Sequence, residues 1–403
     1  MSHPLRIKEF RTYWIGQIIS LSGSWMQIIA QSWLIYFLTK SAFYLGLISF
    51  LSSSPMLIFT LFGGVLADRY PRRKILIITQ FLSLFPALII GILIDLDAIK
   101  IWHIAFASLF LGVAGAFDMP ARQAFITEIV TKDMITSAIA MQSISFNIAR
   151  ILGPFFAGII VSSLNFQTCF YINALSFIPL IIILLKIKLK DEISHEKNLS
   201  LKDSLKEGFR FLYSHKQILC IIFSVGIFTL FGVSFMTVLP LIAGEILKVG
   251  AKGFGIIVSS IGIGSLIAGI LIALKKDISE KQKHIFQSSL LFPAGLIGVA
   301  MSKNLHITIG FAFLLGFAFV NFFAISNSFI QHLTEKRLRG RIMSFFSFVF
   351  LGFTPIGNLL TGILVEEFGI KPILQFYAFL CFLGGVIFLK ILPDIYKKKA
   401  ITD

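Results

Sequence analysis

The feature that most constrains this chain is a succession of apolar runs, most of them about 20 residues or longer, parted by short polar breaks. A helix needs about 20 apolar residues to cross the hydrocarbon layer of a bilayer. Read with that window, the sequence offers twelve candidates: 13–38, 42–66, 75–94, 101–123, 136–164, 168–186, 216–247, 253–275, 283–301, 305–331, 341–365 and 372–392. With 56% hydrophobic and 14% charged residues, the composition is too apolar for an ordinary soluble domain. The expected fold is an all-α integral membrane protein with twelve transmembrane helices, in contact with lipid.

The formal charge of +16 would point to nucleic acid in a soluble chain. Here the positions of the bases account for it. Loops that would lie on one side of the membrane hold 29 of the 36 Lys and Arg, the alternate loops hold 6, and Arg150 alone lies inside a span. Because bases collect on the cytoplasmic side, both termini are expected there, and no nucleic-acid partner is. The first run is too long for a cleavable signal and lacks a small-residue cleavage site, so it is read as a retained helix. Cys169, Cys220 and Cys381 lie within apolar runs without metal-ligand spacing, so no metal, cofactor or disulfide framework is expected. His103, His306 and His332 sit near span ends, and no nucleophile or His pair is visible at membrane depth, which argues against an enzyme. A receptor would need a signalling domain, and the longest break is about 30 residues.

That break, 187–215, divides the spans into an N-terminal bundle, 1–186, and a C-terminal bundle, 216–403. Within it Leu201, Leu205, Phe209 and Leu212 recur at helical spacing after Ser200, a possible N-cap. The segment reads equally as a helix lying on the membrane surface or as a solvated linker. A shift of 204 residues places Phe125-Ile126 on Phe329-Ile330 and Gly158-Ile159-Ile160-Val161 on Gly362-Ile363-Leu364-Val365. Duplicated, pseudo-symmetric six-helix bundles with a site between them are common among secondary transporters.

Between the second and third spans lies Gly64-Val65-Leu66-Ala67-Asp68-Arg69-Tyr70-Pro71-Arg72-Arg73-Lys74, an acid and four bases within seven residues. It reads either as topology-setting charge or as a latch. Its residue types, spacing and place resemble the signature motif of the major facilitator superfamily, with Pro71 where the family usually has Gly. The resemblance implies that Asp68 faces the N-terminus of the eleventh helix near Arg341, and that Arg72 pairs with an acid of the fourth helix, here Asp118; Arg69, Arg73 and Lys74 are read as mainly setting topology. A carboxylate at a helix N-terminus gains roughly 0.3–1 kcal/mol, so such contacts made in one state bias a two-state equilibrium.

Asp118-Met119-Pro120-Ala121-Arg122-Gln123-Ala124, Arg339-Gly340-Arg341-Ile342-Met343-Ser344, and Trp14, Gly16-Gln17, Ser22-Gly23 and Trp25-Met26-Gln27 resemble the branch of the superfamily that holds the bacterial enterobactin exporter and macrolide efflux proteins. The resemblance implies a monomer in the inner, or plasma, membrane of a bacterium. It would export a bulky siderophore, macrolide or other drug-like molecule by alternating access, with the proton as coupling ion. An importer or a lipid flippase would use the same scaffold. In the fifth span Gly153-Pro154, with Gly158 beyond, is similar to a degenerate antiporter motif, or serves tight helix packing alone. Ser108 stands where the superfamily's fourth helix often has an Arg tied to coupling, and Asp118 is left as the candidate proton site.

Polar residues amid the apolar spans suggest the cavity wall: Gln17, Gln27 and Gln31 in the first, Thr229 in the seventh, Asn321 and Asn327 in the tenth. Arg150, a base at mid-span, requires a partner, a cavity or the bundle interior. It is either an anchor for an anionic substrate or a structural pair.

Overall fold

Short polar side chains start several of the helices, and what they hold is a set of long apolar rods. The computed structural model describes residues 3–187, 211–274, 281–335 and 338–391. The expected surface helix of the 187–215 break falls mostly outside these residues. Among the described residues the regular structure is helical throughout. The rods are α1 (Lys8–Thr39), α2 (Ala42–Arg69), α3 (Arg72–Asp95), α4 (Ile101–Ile129), α5 (Ile135–Ser163) and α6 (Phe166–Lys186). After the break come α7 (Lys216–Ile227, continuing irregularly to Ile246), α8 (Gly250–Leu274), α9 (Lys281–Met301), α10 (Leu305–Leu333), α11 (Arg339–Phe368) and α12 (Ile370–Ile391).

Ser41 caps α2, Asn165 caps α6 and Asn304 caps α10, each accepting from a backbone N–H of the first turn. α1 ends on Lys40 in the left-handed region, its N–H donating to Tyr36 O, and α11 ends on Gly369 at φ +83°. Ten segments among the described residues are long and apolar enough to cross a membrane, with neither α12 nor α1 among them. The Gln and Ser side chains that lower its hydropathy, Gln17, Ser20 and Gln27, are buried. Large apolar residues face outward instead, Phe106, Leu175 and Leu185 among them, as a lipid-facing surface requires.

The chain clusters into two compact units: Met1–Glu196 with Ala243–Ser259, and Lys197–Ile242 with Ser260–Asp403. Unlike the division read from sequence, the first unit takes in the end of α7 and the first turns of α8. In the first unit Phe10, Tyr13, Phe125, Leu184 and Ile187 belong to one apolar cluster, with the Tyr13 and Phe125 rings edge to face at 5.1 Å. In the second, Phe228 of α7 stacks on Phe322 of α10 at 3.9 Å. α7 is the irregular rod: Phe228–Gly232 and Ile242–Ile246 are π-helical, with a 3-10 stretch at Val233–Val238 between them.

Candidate functional site

The charged loop is short because α2 and α3 nearly abut. Arg69 closes α2, Tyr70 caps it, and Pro71 precedes Arg72, the first residue of α3. Proline's missing N–H costs nothing at a helix start. From there Arg72 folds back, its Nε donating to Ala67 O at 3.0 Å and its Nη1 bonding Glu128, with Asp68 3.9 Å away. The pairing of Arg72 with Asp118 is therefore corrected. The acid it meets is Glu128, next to the last residue of α4, whereas Asp118 lies ten residues earlier, about 15 Å along the helix axis. Arg73 donates to the carbonyl of Ile187, just past α6, which ties the α3 start to the α6 end. Asp68 is 72% exposed, and the space where a Gly64 Cβ would stand is open. The neighbouring Gly63 is the tightly packed one, since a Cβ there would stand 2.4 Å from Ala116 O of α4.

Asp118 sits in a complete hydrogen-bonded set. Its Oδ1 accepts from Thr79 Oγ1 at 2.8 Å and Gln80 Nε2 at 2.9 Å, both on α3. Its Oδ2 accepts from Arg122 Nε at 2.8 Å and pairs with Nη2 at 2.6 Å, one turn on. Ser20 of α1 donates to Gln80 Oε1 at 3.1 Å, so three helices are joined through one carboxylate. Sequence reasoning named Asp118 and missed Thr79, Gln80 and the role of Arg122. The four-residue spacing of Asp118 and Arg122 was the available signal, since such residues share a helix face.

This cluster closes one end of a cavity of about 380 Å³ inside the first unit, bounded by α1, α2, α3, α4 and α6. Gln27 and Gln31 are among its lining residues. Gln27 Oε1 accepts from Asn173 Nδ2 of α6 at 2.5 Å, and Gln31 donates to Ser108 Oγ of α4 at 3.0 Å. Ser108, standing where a coupling Arg was sought, is thus an amide's partner on the cavity wall. Gln17 is buried and is not among the cavity's lining residues; it lies three residues before Ser20, where the α1 lining begins.

Among the described residues, the candidates of the second unit do not meet in one cavity. Thr229 lies in the π-helical stretch of α7 with its hydroxyl buried and unpartnered. Asn321 lines a separate cavity of about 390 Å³ with His284 and Gln287, and Asn327 accepts from Gln331 Nε2 at 2.6 Å, one turn on. Arg341 lies in the first turn of α11.

Small residues bring α5 against two neighbours in the first unit. A Cβ on Gly153 would stand 2.6 Å from Trp25 Cβ of α1. One on Gly158 would stand 2.8 Å from Ala251 O, and one on Gly255 would stand 2.4 Å from Pro154 O. Ser259 Oγ donates to Ile151 O at 2.9 Å, a carbonyl near the Pro154 turn, and Trp33 stacks on Phe254 at 5.7 Å. This contact is why residues 243–259 belong to the first unit. Arg150, one turn before Pro154, lies beside Asn147 and Phe146.

The model of the family described as transmembrane secretion effector matches residues 2–401. The staphyloferrin A transporter of Staphylococcus aureus (strain NCTC 8325 / PS 47) is 26% identical over 349 residues, 86% of this chain and 87% of that protein. Macrolide efflux protein A of Streptococcus pyogenes is 21% identical over 371 residues, 90% and 91% of the two chains. Among solved structures, a nucleoside transporter NupG variant superposes with a TM-score of 0.78 at 13% identity, covering 95% of this chain and 100% of that one. A bacterial homologue of the iron transporter ferroportin, in an inward-facing state, does so at 0.72 and 16%, covering 96% and 99%. With a fold shared over nearly the whole chain and a family model spanning nearly every residue, the chain belongs to the transmembrane secretion effector family of major facilitator transporters, multi-pass membrane proteins of bacteria.

Proposed function

We propose that this transporter exports a bulky small molecule, a siderophore, macrolide or similar compound, by alternating access driven by the proton gradient. On this reading twelve spans form two six-helix bundles, 1–186 and 216–403, joined by 187–215. The chain works as a monomer in the inner membrane with both termini cytoplasmic. The supporting observation is the amide- and hydroxyl-lined cavity of about 380 Å³ inside a bundle whose outer surface is apolar. Ligand pockets of this kind hold a few placed polar groups in an apolar wall. The relatives named as exporting, and the one named for a siderophore, make the substrate classes to try first.

The test is accumulation and efflux of a panel of siderophores, macrolides and cationic dyes in cells and proteoliposomes, with and without a protonophore. Export of at least one compound that stops with the protonophore is the expected result. Movement unaffected by the protonophore removes proton coupling, and inward movement reverses the direction. Asp118 is a poor choice of proton carrier, since both its oxygens are committed to donors on α3 and α4.

The latch belongs to the same proposal: Asp68 acts on the first turn of α11 in one state, while Arg72 is held ready by Glu128 and Ala67. Asp68→Asn is expected to lower export severalfold at unchanged membrane insertion, because a helix-end contact of roughly 0.3–1 kcal/mol is lost in one state only. Equal export rates in Asp68→Asn and the parent would remove the latch from the mechanism.

A further inference from the structure

We infer that Arg150, with Asn147, Phe146 and Trp25, forms a recognition site for an anionic group carried on an aromatic ring, an aryl carboxylate being the simplest case. The inference deepens the transport reading by naming a substrate class. Arg150 lies near the middle of α5, a helix without acidic residues. Among the described residues no carboxylate comes within salt-bridge distance of it. A guanidinium has five N–H donors. Here Nη2 gives one to Asn147 Oδ1 at 3.2 Å, and Nε is buried without any partner. Asn147 spends its own amide on Ser143 O at 2.8 Å, which fixes its oxygen toward Arg150 and leaves the positive charge uncompensated. A structural pair would have consumed these donors and that charge.

The surroundings add a ring-binding surface. Arg150 Cζ lies 5.9 Å from the Phe146 ring centroid, within cation–π range. Phe146 meets Trp25 edge-on at 5.6 Å and is 44% exposed, so part of its surface remains open. Gly153 admits the α1 backbone at Ser22 and Met26, and the Trp25 Cβ, against α5, which brings that ring beside Phe146. A carboxylate fits the planar fork of an Arg better than the point charge of a Lys, and its attached ring has two aromatic neighbours within reach.

The test uses the purified full chain in detergent and follows tryptophan fluorescence on titration with 2-aminobenzoate, its neutral amide 2-aminobenzamide, and non-aromatic citrate. The parent is expected to bind 2-aminobenzoate more tightly than either. Arg150→Gln is expected to weaken 2-aminobenzoate about tenfold or more and leave 2-aminobenzamide unchanged, as loss of a charged hydrogen-bond donor predicts. Phe146→Leu should weaken both ring compounds. Arg150→Lys keeps the charge without the fork, and an intermediate affinity there carries the test should Arg150→Gln fail to elute as a folded species. Equal 2-aminobenzoate affinity in Arg150→Gln, equal affinity of the parent for acid and amide, or no binding of 2-aminobenzoate overturns the site. Transport is read separately: export insensitive to Arg150→Gln sinks the site and spares the exporter, whereas Arg150-dependent binding without export of any panel compound does the reverse.

Discussion

Asp118→Ala is expected to destabilise the transporter by roughly 3–5 kcal/mol, the cost of leaving one partner of a buried ion pair uncompensated. Asp118 and Arg122 are 16% and 11% exposed, and Arg122 Nη1 already lacks a partner. Removing the carboxylate would strip Nε and Nη2 of their acceptor and release Thr79 and Gln80 together. The Ser20–Gln80 bond would then orient nothing, so α1, α3 and α4 lose a shared tie. Thermal unfolding of the purified protein in a fixed detergent measures the loss. A double variant, Asp118→Leu with Arg122→Met, separates charge from packing, because an apolar pair of similar volume is often neutral or stabilising in place of a buried ion pair. The double variant is expected to recover most of the stability that Asp118→Ala loses. Glu128→Gln, at a pair where the acid is 27% exposed, should cost less. An Asp118→Ala protein that unfolds at the parent temperature would show that the carboxylate is solvated and not a structural tie.

What was legible in the sequence, and what was not, follows from how far each signal reaches along the chain. Apolar runs are local, and they placed some rods to within a few residues, 42–66 against Ala42–Arg69 and 305–331 against Leu305–Leu333, while α4 runs six residues past its reading, 101–123 against Ile101–Ile129. The irregularity of α7 left no comparable mark, since its π and 3-10 turns are made by the same Phe, Val and Leu residues that make α-helix elsewhere. Gln27 and Gln31 could be placed on one face by their four-residue spacing, but their partners Asn173 and Ser108 come from other helices and no spacing announces them. The Arg72 partner shows the same limit. Family resemblance supplied an acid of α4, and choosing between Asp118 and Glu128 required knowing how far along α4 the α3 start reaches. Gly153-Pro154 and Gly158 read either as a degenerate antiporter motif or as a close-packing surface. That this surface would take residues 243–259 into the first unit depended on Ala251 and Gly255, which read as ordinary small residues in an apolar helix.

Gly158→Leu is expected to abolish transport while the protein still inserts. The α5 contact with the first turns of α8 has no slack: a Gly158 Cβ would lie 2.8 Å from Ala251 O and 3.1 Å from Gly255 Cα, both backbone atoms that cannot rotate away. A leucine adds three further carbons along the same vector. Overpacking costs about 1–3 kcal/mol, which as a bias on a two-state equilibrium is about a 5- to 150-fold loss of the state in which residues 250–259 lie on α5. The Ser259–Ile151 bond and the Trp33–Phe254 stack depend on that approach and would be lost with it. Phe254 is 2% exposed, so a cysteine there, in a background lacking Cys169, Cys220 and Cys381, reports on the contact. Labelling of Phe254→Cys by a membrane-impermeant maleimide should be slow in the parent and fast beside Gly158→Leu, with Gly158→Ala between. Where the proposed alternating-access cycle passes through this contact, a variant that cannot form it should insert, label and fail to transport. Slow labelling together with parental export in Gly158→Leu would mean that α5 and α8 need not approach this closely for the cycle to run.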